Sequence, residues 1–134
     1  WGVYLWGDQT DLTLAGQTLI CELMVYEGRC ALVGTPGTHE AATTATTIEV
    51  GRNDPPSRAE LTLRHVRIGR FDKNDSIKGQ ITAHGNSRVV IRDAVCADLV
   101  LVTRGKGEID ASGLTRQGRI ISLPQGGPIR VDQK

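Results

Sequence analysis

"AELTLRHVRIGR", residues 59–70, sets apolar side chains at Leu61, Leu63, Val66 and Ile68, at spacings of two, three and two, with arginines between them. An α-helix repeats its apolar face every three to four residues and a strand every two. Neither accommodates the whole stretch, but two short strands joined by a bend do. Leu61 and Leu63 then point inward from one strand, Arg64 and His65 form the bend, and Val66 and Ile68 point inward from the next. Thr62, Arg67 and Gly69 face water. The link is not of the Asn-Gly kind that reverses a chain into a hairpin. It turns a corner without reversing. Corners repeated around a coil wind parallel strands into a β-helix.

The rest of the chain is written in the same unit, apolar–any–apolar. It recurs at Leu12–Leu14, Leu19–Cys21, Leu23–Val25, Ile48–Val50, Val89–Ile91, Leu99–Leu101, Ile121–Leu123 and Ile129–Val131. The turn-forming runs "GTPGT", "GRNDPPS", "HGNS", "RGKG" and "PQGGP" separate the units. Glycine is 16 of 134 residues, against about 7% in ordinary proteins, and no window keeps a helical period. "ELTLRHVRIG" (60–69) aligns without gaps to "RVVIRDAVCA" (88–97), matching Leu61 with Val89, Leu63 with Ile91, Arg64 with Arg92 and Ile68 with Cys96. "DLTLAGQTLI" (11–20) repeats the same opening. A repeat in the twenties is one circuit of a three-sided coil. The pattern predicts an all-β chain, residues 1–134 forming one short, single-stranded, right-handed parallel β-helix of about five coils. A β-sandwich or jelly roll is the alternative.

Bulk properties exclude several classes. A chain of 134 residues with 39% hydrophobic and 23% charged residues is long enough to bury a core in one domain. A net charge of +1 gives no electrostatic case for nucleic acid. No apolar run reaches the roughly 18 residues of a membrane span, since "AVCADLVLV" is broken by Asp98. The chain begins at Trp1 and opens without a charged-then-apolar leader, so it reads as a mature form, a fragment or a processed product, and export is favoured slightly over the cytoplasm. Cys21, Cys30 and Cys96 are too few for a disulfide framework or a zinc site. They read as small buried apolar residues, with a Cys21–Cys30 bridge as the alternative in an oxidising compartment.

Two stretches resemble the right-handed β-helix proteins of the pectin-lyase-like superfamily. "CALVGTPGTHEAATTATTIEVG" (30–51) is similar to their segment in which a strand ends in Leu-Val-Gly, a Gly/Pro-rich loop follows and a Thr-Thr-Ile strand resumes. "AELTLRHVRIGR" resembles the strand, bend and strand after it. The likeness covers residues 11–71, and residues 78–131 match as generic coils. It implies coil geometry. The superfamily includes polysaccharide lyases and hydrolases, tailspikes, adhesins and non-enzymatic modules. Its enzymes use acidic clusters on adjacent coils with calcium ligands and a catalytic Arg or Lys, or paired aspartates. This chain has no Asp-Asp or Asp-x-Asp, so catalysis does not carry over.

The remaining constellations are sparse. Asp72, Asn74 and Asp75 in "FDKND" offer three oxygen donors where calcium wants six or more, and no metal or other cofactor is expected. Asn74-Asp75-Ser76 is a glycosylation sequon. His65, Asp93 and Ser87 are the residue types of a hydrolytic triad, but no nucleophile elbow marks them. Arg64, Arg67, Arg70 and Lys73 make the densest basic stretch and are the candidate site for an acidic glycan, because guanidinium groups bind carboxylates and sulfates in pairs of hydrogen bonds. No aromatics interleave with them, which argues against single-stranded nucleic acid.

Four of the five aromatics fall in the first 26 residues: Trp1, Tyr4, Trp6 and Tyr26. Residues 1–10 therefore read as an N-terminal cap or docking segment, with those four as anchors on a partner. A coil stack has two ends, each needing a cap or a neighbour. The expectation is a non-enzymatic structural or accessory module that docks to other protein subunits. A carbohydrate-binding or glycan-processing fragment, and a tailspike or adhesin segment, are the alternatives.

Overall fold

The computed structural model describes residues 2–5, 19–34, 44–71, 76–77 and 79–131. Among them the regular structure is all strand, with no helix. The strands are β1 (Gly2–Leu5), β2 (Leu19–Val25), β3 (Gly28–Val33), β4 (Thr44–Val50), β5 (Ala59–Ile68), β6 (Arg70–Phe71), β7 (Ser76–Ile77), β8 (Gly79–Ala83), β9 (Arg88–Cys96), β10 (Leu99–Thr103), β11 (Glu108–Ala111), β12 (Leu114–Gln117), β13 (Ile120–Pro124) and β14 (Ile129–Val131). Twelve form one sheet in which every pairing is parallel. Among the described residues, antiparallel pairing, which a sandwich or jelly roll requires throughout, is confined to β6–β7 and an isolated bridge between Asn53 and Pro56.

The pairings resolve into three ladders. The first runs β1–β2–β4–β8–β10–β13. The second runs β3, the first half of β5, the first half of β9, β11 and β14. The third joins the starts of β2 and β4, the ends of β5 and β9, and β12. The chain passes from first to second to third ladder and returns one layer on. In the later layers that circuit takes 20 or 21 residues: Gly79 pairs with Leu99, and Leu99 with Ile120. Loops lengthen the earlier circuits, so Leu61 and Val89 are 28 residues apart.

Residues 59–68 keep the expected facing but form one continuous strand, β5, with an irregularity where a bend between two strands is expected. In β5 the burial alternates from Ala59 to Leu63, breaks at exposed Arg64 and half-buried His65, and resumes with Val66 and Ile68 buried. His65 has φ +55°, the left-handed conformation that turns the corner and that histidine tolerates better than most side chains. The register shifts on either side of Arg64. Leu61 lies over Val89, Leu63 over Ile91 and Ile68 over Cys96. Arg64, however, pairs with Asp93 and not Arg92, because the two layers place their extra corner residue at different points. Gly69, expected in water, is buried with φ +83°; it turns the chain, and with no side chain it has nothing to project.

The core is made of stacked like residues. One column is Leu23, Ile48, Ile81 and Leu101; another is Cys30, Leu61, Val89 and Ile109, all at most 2% exposed. Each layer therefore buries its apolar residues against the layers above and below, at about 4.8 Å spacing. Thr103 continues the Val25–Val50–Ala83 column, with Pro124 beyond it. Its hydroxyl donates to the Gly127 carbonyl at 2.7 Å, which satisfies a buried polar group. Cys30 and Cys96 sit in different ladders as buried core residues, and burial pushes the Cys96 thiol pKa up. Cys21's side chain and Leu12–Leu14 lie outside the described residues.

One predicted unit has the opposite facing. Ile121 and Leu123 pair with Val100 and Val102, while Ser122 pairs with the fully buried Leu101. Ile120 and Ser122 thus hold the inward positions. Ile121 and Leu123 lie outside, 38% and 41% exposed. Period two alone cannot tell which parity faces in when three apolar residues nearly adjoin.

Candidate functional site

The outer face of the second ladder carries the most ordered arrangement of chemical groups. In each of four successive layers the residue before the Cys30–Leu61–Val89–Ile109 column is charged, and the signs alternate: Arg29, Glu60, Arg88, Glu108. In-register stacking puts each one strand spacing, about 4.8 Å, from the next. Arg88 Nε lies 3.1 Å from Glu108 Oε1. Arg29 and Glu60 make no ion pair among the described residues. Arg58 and Lys106 flank this row, and together with it line an open groove of about 860 Å³. The column beside it is Ala31, Thr62, Val90 and Asp110. Two hydrogen bonds from Ser112, side chain and backbone, hold the Asp110 pKa below its ordinary value.

A second cluster occupies the corner between the first and second ladders. The Gly85 amide donates to Asn53 Oδ1 at 2.7 Å. That fixes the Asn53 amide with its NH₂ toward His84 Nδ1, 3.1 Å away, so His84 Nδ1 accepts. His84 Nε2 then donates toward Glu49 Oε1 at 3.4 Å. Nδ1 thus ties the turn His84–Ser87 to the loop Gly51–Arg58, and Nε2 ties it to β4. Nearby, the Arg52 guanidinium lies 5.8 Å from the Tyr26 ring centre and 3.6 Å from Glu27 Oε1.

The triad types do not assemble. His65 Nδ1 donates to Asp93 Oδ2 at 2.7 Å, joining two layers at the corner after the second ladder. Ser87 sits at the opposite end of that ladder, six residues or about 20 Å of strand from Asp93. The residue is 1% exposed, and its hydroxyl accepts from the Ala59 amide and donates to the Ser57 carbonyl. It acts as a buried corner bolt between layers.

Other candidate residues are dispersed. Arg64 is exposed at the corner after the second ladder, and Arg67 lies half-buried on the third. Only the backbone of Arg70 is described, in β6. Lys73 lies outside the described residues, as do Asp72, Asn74, Asp75, Trp1 and Trp6. Tyr4 is 53% exposed and its hydroxyl donates to Glu22 Oε2 at 3.0 Å, which raises the phenol pKa. Tyr26 is half-buried, packed at the Arg52 corner. Among the described residues no three His, Cys, Asp or Glu side chains group as metal ligands, and no helix is long and apolar enough to cross a membrane.

Reading motifs one at a time missed the alternating row. Its signal is visible once layers are aligned: Arg-Cys, Glu-Leu, Arg-Val and Glu-Ile each precede the same inward position. Comparison of the chain with protein-family models, with curated proteins and with solved structures finds no match.

Proposed function

We propose that the chain is a section of a single right-handed parallel β-helix and serves as a non-catalytic scaffold that docks to other protein subunits at the end of its stack. Three parallel ladders visited in constant order support the coil, and crossovers between parallel strands of one sheet are right-handed in nearly all proteins. The observation that carries the docking reading is the last layer. Among the described residues β12, β13 and β14 each pair on one side only. Ile121 and Leu123 stand exposed on that layer, and Ile120, Ile129 and Val131 are only partly buried against the core. Unpaired edges with apolar side chains invite strand pairing. The partner that satisfies them is a protein presenting a further parallel layer.

The test is native mass spectrometry of the chain as isolated from the cells that make it. The expected result is a complex with another polypeptide. Ile121→Lys with Leu123→Lys dissolves that complex by placing two ammonium groups on its edge. The outward positions leave the urea midpoint of the chain nearly unchanged. A chain that is monomeric as isolated, or a complex indifferent to both lysines, contradicts the proposal.

A further inference from the structure

We propose that the outer face of the second ladder binds a second copy of this chain, about a two-fold axis parallel to its strands and midway between β5 and β9. The row Arg29, Glu60, Arg88, Glu108 reads plus, minus, plus, minus along the stack. Reversing the stacking direction turns it into its own complement. Arg29 then opposes the partner's Glu108 and Glu60 opposes the partner's Arg88, and each pair occurs twice. The two-fold along the stack would instead set Arg29 against the partner's Arg29, so charge selects one orientation.

Pitch narrows the partner as strongly as sign does. The row repeats at the strand spacing, about 4.8 Å. A facing surface matches all four charges only if it alternates sign at that same step. An α-helix advances about 5.4 Å per turn and drifts out of step. A polymer of one charge, such as an acidic polysaccharide, meets Glu60 and Glu108 with repulsion wherever it meets Arg29 and Arg88 with attraction. Another parallel β wall has the right step, and this chain's own wall has the right signs. Arg29 and Glu60, lacking ion pairs among the described residues, keep their charge for such a contact. The neighbouring column begins with Ala31 and Thr62, small enough for two walls to approach.

A two-fold contact closes at two copies, whereas pairing at the stack end is head to tail and stays open. The two proposals therefore fail separately. Sedimentation equilibrium of the wild type at low salt is expected to give a dimer that dissociates as salt screens the pairs. Arg88→Glu alone sets residue 88 against the partner's Glu60 twice, and Glu60→Arg alone sets residue 60 against the partner's Arg88 twice. Each single variant should weaken self-association by about tenfold or more. Mixed in equal amounts, the two variants restore all four opposite pairs and should form a heterodimer as tight as the wild type. The double variant Glu60→Arg/Arg88→Glu should also dimerise. Urea midpoints show that each variant is folded. The proposal is overturned by a wild type that stays monomeric at millimolar concentration or binds polygalacturonate there instead. It is equally overturned by a mixture no tighter than its components, or by a dimer that the Ile121→Lys/Leu123→Lys variant abolishes and the charge reversals do not.

Discussion

Leu61→Ala should lower the unfolding free energy by about 2–5 kcal/mol, the range for truncating a fully buried leucine. Leu61 is 0% exposed and lies in register between Cys30 on one side and Val89 on the other. Trimming its isobutyl group to a methyl leaves a void that neither neighbour can fill. Both backbones are held by parallel ladders, so collapse would break hydrogen bonds in two layers at once. In a stack where each layer touches only its neighbours, that loss falls on two interfaces. The adjacent Thr62→Ala, on the outer face, should change stability by no more than about 0.5 kcal/mol. Urea unfolding of the two variants beside the wild type measures the contrast. A Leu61→Ala cost as small as that of Thr62→Ala would mean that position 61 does not face the core.

Gly85→Ala should cost about 2–5 kcal/mol, combining left-handed strain of about 1–2 with overpacking of about 1–3. Gly85 has φ +63°, and a Cβ there would lie 2.2 Å from the Arg52 carbonyl oxygen and 2.7 Å from that of Ser57. Both obstacles are backbone atoms of the layer below, so neither can rotate away. The turn His84–Ser87 thus stacks on the loop Gly51–Arg58 as closely as strands stack on strands. Asn86→Ala in the same turn is the control, exposed and expected to cost under about 0.5 kcal/mol. Equal midpoints for the two variants would contradict the close stacking.

These two positions mark how far the sequence is legible. Leu61 belongs to a stretch whose uneven spacing fits neither a helix nor an unbroken alternating strand, and its partner Val89 follows from the 28-residue repeat. The β3 pair Cys30 and Leu32, the β8 pair Ile81 and Ala83, and the β11 pair Ile109 and Ala111 are core elements too. They escape the apolar–any–apolar search because alanine, cysteine or a single isoleucine gives a faint signal beside Leu-x-Leu. At Ile120–Leu123 the difficulty is reversed: apolar residues of both parities are present, and only pairing with buried Leu101 assigns Ser122 the inward position.

Candidate groups are harder to read than the core because their neighbours come from other layers. His65 and Asp93 meet at 2.7 Å, as one repeat of separation foretells, while Ser87 is one repeat from Ala59 and serves the backbone there. The dense basic stretch around Arg64 and Arg67 is dense only along the chain. In space those two arginines lie on different ladders, and the cations that share a groove, Arg29, Arg58, Arg88 and Lys106, are spread over 78 positions of sequence. Register, unknown before the fold, converts one distribution into the other.

Methyl-resolved NOE spectroscopy of the folded chain probes the winding itself. Parallel stacking predicts cross-peaks from Leu61 to Val89 and from Val89 to Ile109, with none between Leu61 and Ile109, two strand spacings or about 10 Å apart. Strong Hα–Hα cross-peaks between residues 61–63 and 66–68, the mark of a chain reversing on itself, would contradict it.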